Sequence, residues 1–95
     1  MARRRATKQQ RDALIKKEPL AKEIGRILRD RGLTQTEASY IVKDAPSQLS
    51  LVVNGKLAGF SPERLLRLLT RLGRDVEIRI RSAGRASGRV RVVVR

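Results

Sequence analysis

The sequence contains no cysteine, no histidine and no tryptophan. Without cysteine, neither a disulfide nor a thiolate zinc site contributes to stability. Without histidine, the commonest metal ligand and the usual general base are missing. Tyr40 and Phe60 are the only aromatic residues, which argues against binding single-stranded nucleic acid by base stacking. Acidic groups are also few: nine Asp and Glu are scattered among 23 Lys and Arg, so no carboxylate pair suggests acid–base chemistry. The expectation is a protein that is not an enzyme and has no catalytic site, metal or cofactor. No run of about 18 apolar residues is long enough to span a bilayer. Arg3, Arg4 and Arg5 are not followed by the apolar stretch of a secretory signal. A soluble, cytoplasmic chain without a membrane partner is expected.

What the chain has in excess is positive charge. Its 95 residues are the size of one small domain with one modest core, and they carry a formal charge of +14. Such an excess attracts polyanions, nucleic acid first and an anionic membrane surface second. The charge divides the chain into three zones. Residues 1–17 hold seven basic and one acidic residue, residues 18–73 nine and six, and residues 74–95 seven and two.

Residues 1–17 have only Leu14 and Ile15 as large apolar residues, too little to offset the entropy of ordering the segment alone. They read as a flexible basic arm, with a helical stretch near Gln9–Lys17. The arm is either a solubilising tail or a segment whose Arg3, Arg4 and Arg5 follow DNA phosphates or enter a minor groove.

Residues 18–73 are helical by pattern. Leu20, Ile24, Ile27 and Leu28 share one face, which predicts a helix from about 19 to 31. Pro19 suits its first turn and Gly32 its end. Thr34 followed by Glu37 is a capping-box pattern opening a second helix at Gln35 that runs to about Val42. After a break at Lys43–Ala45, Pro46 opens a third helix that Asn54-Gly55 ends. Ser61, Pro62 and Glu63 start a fourth, whose stripe of Leu65, Leu66, Leu68, Leu69 and Leu72 stops at Gly73.

Residues 74–95 change period. Val76, Ile78 and Ile80 alternate with Glu77, Arg79 and Arg81, and Val90, Val92 and Val94 alternate largely with Arg89, Arg91 and Arg95. Period two predicts a pair of half-buried strands around a Ser82–Gly88 loop. An isolated hairpin is marginal in water, so these strands need a partner: the helical core, or the same strands of a second chain.

The two short central helices have helix-turn-helix spacing. Counted from Gln35, Ala38 is fourth, Ser39 fifth, Val42 eighth, Leu49 fifteenth and Val52 eighteenth, which packs the second helix across the third. LTQTEA at 33–38, NGKL at 54–57 and FSPERLLRLLTRLGRDVEI at 60–78 resemble Cro/repressor-type (XRE) helix-turn-helix transcriptional regulators over residues 19–81. LLRLLTRLGRDVEIRI is similar to the HigA-type antitoxin branch. The expected fold is therefore mainly α: a four- to five-helix lambda-repressor-like helix-turn-helix domain followed by a C-terminal pair of β-strands.

The resemblance implies a repressor of double-stranded DNA that works as a homodimer. It also implies, as an alternative, an antitoxin that neutralises a RelE/HigB-like toxin and autoregulates its operon; the charged ends and the altered turn favour a further alternative, a less specific nucleic-acid-binding protein. In a helix-turn-helix the start of the recognition helix enters the major groove, so Pro46, Ser47, Gln48 and Leu51 are the candidates there. Gln48 suits adenine and Leu51 a thymine methyl. Gln35 is similar to the family's phosphate-binding glutamine, flanked by Ser50, Asn54 and Lys56. Val76, Ile78, Ile80, Val90 and Val92 are the expected dimerisation residues. Lys43 stands where the family's turn has glycine, and Asp44 either caps the third helix or faces DNA unfavourably.

Overall fold

A computed structural model describes residues 14–95. The expected roles of Arg3, Arg4 and Arg5, and most of the expected helical stretch near Gln9, lie outside the described residues. Within them the chain forms four helices: α1 (Lys17–Asp30), α2 (Gln35–Val42), α3 (Pro46–Val53) and α4 (Pro62–Arg71). None of them is long and apolar enough to cross a membrane.

Each helix starts for a local reason. α2 has both bonds of the capping box: Glu37 N donates to Thr34 Oγ1 and Thr34 N to Glu37 Oε1, each at 3.0 Å. The two hydrogen bonds from Thr34, backbone first, hold the Glu37 carboxyl below the usual glutamate pKa. α3 lacks a side-chain cap but begins with Pro46, whose missing N–H and fixed φ suit the first turn. At α4, Ser61 Oγ accepts from Arg64 N at 3.1 Å and Pro62 follows.

The apolar faces of these helices close one core. Ile24 and Ile27 of α1, Ala38 and Val42 of α2, Leu49 and Val52 of α3, and Leu65, Leu68 and Leu69 of α4 are all buried, with Phe60 and Leu72 at the flanks of α4. α1 packs against α4 and α3, while α2 lies across α3 and touches α4. Removing a side chain of this size from water contributes roughly 1.5–3 kcal/mol. Long basic side chains then tie the elements together through backbone carbonyls. Arg71 Nη1 donates to Val42 O at 2.8 Å, Arg31 Nη1 to Leu72 O at 3.1 Å, and Lys17 Nζ to Leu57 O at 3.3 Å. The first two satisfy acceptors that a helix leaves open at its C-terminus.

The turn between α2 and α3 keeps its left-handed residue without glycine: Lys43 has φ 56° and ψ 46°. This conformation crowds the Cβ of a non-glycine residue and costs about 1 kcal/mol. Lys43→Gly is expected to raise stability by about 0.5 kcal/mol, because the strain relieved, about 1 kcal/mol, exceeds glycine's entropic cost of about 0.5 kcal/mol. A urea titration followed by circular dichroism measures it; a lower midpoint would contradict the strain assigned to Lys43.

The expected C-terminal strand pair is absent: among the described residues there is no strand, and residues 74–95 run without a ladder. Alternation gave these residues an apolar side but no backbone partner. Two strands alone are marginal, and pairing them would set several of the segment's seven arginines across from one another, where like charges destabilise. The buried core is also built almost wholly by the helices and their links, with Leu72 closing the end of α4. Ile78 and Ile80 are 77% and 94% exposed. Val92, by contrast, is half-buried against the core of its own chain, and Val94 lines a groove with Pro19, Lys22 and Val53 between α1 and the end of α3.

Candidate nucleic-acid interface

The start of α3 stands exposed on the helix-turn-helix. Leu49 and Val52 point into the core, and the opposite face of the helix is thereby turned to solvent. On that face Pro46, Ser47 and Leu51 are exposed. Ser47 and Leu51 are four residues apart and so lie one turn above the other. α2 packs against α3 from behind, and the Arg71–Val42 bond fixes the end of α2 next to the turn. This exposed face is therefore carried by packed helices and not by a loop.

Gln48 differs from its neighbours on α3. It is half-buried, and its Oε1 accepts a hydrogen bond from Arg64 Nη2 of α4 at 3.1 Å. The same Nη2 donates to Asp44 Oδ2 at 2.9 Å. Asp44 Oδ1 accepts from the Ala45 N–H at 2.9 Å. Asp44 therefore holds the entry to α3 and is itself neutralised from α4.

The flanking residues take up more dispersed places. Gln35 is half-buried at the first position of α2, beside backbone N–H groups that a helix start turns outward. Asn54 Nδ2 donates to Ser50 O at 2.8 Å and to Ser50 Oγ at 3.4 Å, so this amide caps the end of α3. Lys56 is exposed just after Gly55, whose φ of 74° makes the turn out of α3. Gln35 belongs to α2, Ser50 and Asn54 to α3, and Lys56 to the link that follows. Val76, Ile78, Ile80 and Val90 are exposed along the C-terminal segment, whereas Val92 lies against the core. Arg64 is the residue that sequence reading did not single out. Its partners are 20 and 16 residues away, and no local periodicity connects them.

No group of three or more carboxylates able to hold a metal ion occurs among the described residues. On the helix-turn-helix, Lys43 and Lys56 are exposed beside the exposed Glu37, and Asp44 is balanced by Arg64; the chain's positive excess lies mostly at its two ends. A net charge of +14 favours a polyanion, with an attraction that falls as salt rises.

Comparison with known proteins agrees with this geometry. A family model described as a helix-turn-helix domain matches residues 6–81. Among solved structures, one named provisionally as an XRE family transcriptional regulator is similar at 36% identity. That alignment covers 80% of this chain and 85% of the other, with a TM-score of 0.70. None of the curated proteins matches.

Proposed function

Since the chain belongs to the family of XRE-type helix-turn-helix regulators, we propose that it is a sequence-specific repressor that binds double-stranded DNA as a homodimer. The observation that carries this reading is the rigid presentation of Ser47 and Leu51 at the exposed start of α3. The Gln48 amide lies beside them and α2 buttresses the helix. An α-helix presented in this way fits the major groove, where base edges are distinguishable. Gln35, Ser50, Asn54 and Lys56 contact the flanking phosphates, which set position and register without reading sequence. Arg3, Arg4 and Arg5 add contacts to the backbone or minor groove.

Dimerisation uses the exposed apolar residues Val76, Ile78, Ile80 and Val90. The resemblance of LLRLLTRLGRDVEIRI to HigA-type antitoxins supports a second role, neutralisation of a RelE/HigB-like toxin, on the same chain.

Gln48→Ala is expected to lower the preference for the operator over random duplex while leaving the fold intact, because Gln48 lies near the start of α3, the part that enters the major groove, and its amide can pair with a base edge. A good base contact contributes roughly 1–3 kcal/mol of discrimination, about 5- to 150-fold. Gel-shift titration on an operator selected from randomised duplexes measures the ratio. An unchanged ratio would remove Gln48 from base reading.

A further inference from the structure

One guanidinium connects the acidic turn, the recognition glutamine and the lone buried aromatic ring. Arg64 Nη2 donates to Asp44 Oδ2 at 2.9 Å and to Gln48 Oε1 at 3.1 Å, and Nη1 reaches Gly59 O at 3.5 Å. Its Cζ lies 4.3 Å from the centroid of the Phe60 ring. A planar guanidinium held by a carboxylate, a carbonyl and a ring face has little freedom left to turn. Arginine donates and never accepts. Whatever faces it must therefore be an oxygen, so the Gln48 amide turns Oε1 toward α4 and Nε2 away from it.

We propose that Arg64, anchored by Asp44, is a specificity-determining residue that locks the Gln48 amide with its Nε2 hydrogens toward the DNA, so that guanine is read in preference to adenine. The proposal rests on the reading of α3 as the recognition helix. In the major groove adenine offers an acceptor at N7 and a donor at N6, and pairing with it needs both ends of a glutamine amide. Guanine offers two acceptors, N7 and O6, which the two hydrogens of one amide nitrogen match. With Oε1 directed at α4, the second pattern is the one presented. Asp44 also gains a role: its charge is balanced by Arg64 before any phosphate approaches, so it does not repel the DNA, and it orients the residue that orients Gln48.

The test uses the full-length protein and duplexes selected from a randomised pool. The base pair read by Gln48 is the one at which Gln48→Ala relaxes the preference. There, the wild-type protein is expected to favour guanine over adenine by roughly tenfold. Arg64→Met keeps an unbranched side chain over Phe60 but has no donor; it frees the amide to use both ends and should bring the ratio to parity or toward adenine. Asp44→Asn should move it in the same direction by less.

A wild-type preference for adenine at this base pair, or a guanine preference that survives Arg64→Met, would overturn the proposal while leaving the recognition helix in place. A Gln48→Ala protein with every preference intact would also overturn the proposal, by removing Gln48 from base reading, and would leave base reading to Ser47 and Leu51. If Arg64→Met does not fold, side-chain 15N relaxation of the wild-type protein replaces it. A Gln48 amide as ordered as the α3 backbone is expected, and one that rotates freely refutes the lock.

Discussion

A chain carrying Ile78→Asp and Ile80→Asp is expected to sediment as a monomer and to bind its operator at least about a hundredfold more weakly than the unaltered protein. Both residues are large and apolar, and both stand almost entirely in solvent in the single chain. Neither contributes to the helical core, so the substitutions leave the monomer's packing untouched. A row of exposed apolar side chains marks an interaction face, and in the proposed homodimer a second copy would cover it with the same face about a two-fold axis.

A two-fold dimer places two recognition helices about 34 Å apart, one turn of DNA. Binding of the second half-site then becomes intramolecular, which multiplies affinity by roughly 10²–10⁴ without a new contact. Buried carboxylates on the paired face would oppose association strongly. Sedimentation equilibrium at micromolar concentration, with gel shifts on whole and half operators, checks both parts. A double variant that remains dimeric sinks the assignment of this face. A wild-type protein that is already monomeric sinks the dimer itself.

Phe60→Ala should be the most damaging single truncation in the chain, with a loss of about 3–5 kcal/mol. Phe60 is 2% exposed and lies outside the helices, in the link between α3 and α4. Its N–H donates to Leu57 O at 2.9 Å, which fixes the bend that brings the ring inward. The ring fills core volume and also supplies the face on which Arg64 rests. Losing it removes apolar contact, leaves a cavity and releases the guanidinium that balances Asp44. Domains of this size have total stabilities near the lower end of about 5–15 kcal/mol, so most of the margin disappears. The melting temperature should fall by at least about 12 °C, from roughly 4–8 °C per kcal/mol for a small domain. Phe60→Leu, which keeps most of the volume but not the ring, should cost less. A thermal melt of Phe60→Ala within about 3 °C of wild type would show that the ring does not hold this junction.

The helices were legible because their signals are local. Thr34 and Glu37 announce the start of α2, and both bonds of the capping box are present. Ser61 with Pro62 announces α4 in the same way. The leucine stripe of α4 and the Leu20–Leu28 stripe of α1 put their buried residues on one side of a 3.6-residue period, and those residues form the core. α1 begins at Lys17, somewhat ahead of the start near residue 19 that Pro19 suggested, since proline tolerates several positions in a first turn.

The C-terminal segment misled for a corresponding reason. Alternation describes which way side chains point in an extended chain; it says nothing about whether a neighbouring backbone exists to pair with. Residues 74–95 have the alternation and, among the described residues, no ladder. Val92 reached the helical core of its own chain instead.

By itself, the sequence determined the helices, the apolar residues they bury, the helix-turn-helix spacing and the strong attraction to polyanions. All of these depend on composition or on intervals of a few residues, over which covalent geometry fixes where side chains fall. Tertiary structure alone decided that Lys43 takes the left-handed turn, that Asp44 is neutralised, that Gln48 is engaged from behind and that the C-terminal residues form no sheet. The Arg64 contacts join residues 16 and 20 positions apart, and they exist only because packing α4 against the helix-turn-helix brings a planar donor within reach of two oxygens. Such distances follow from how four helices fill one core, a property of the whole chain that no short stretch of it carries.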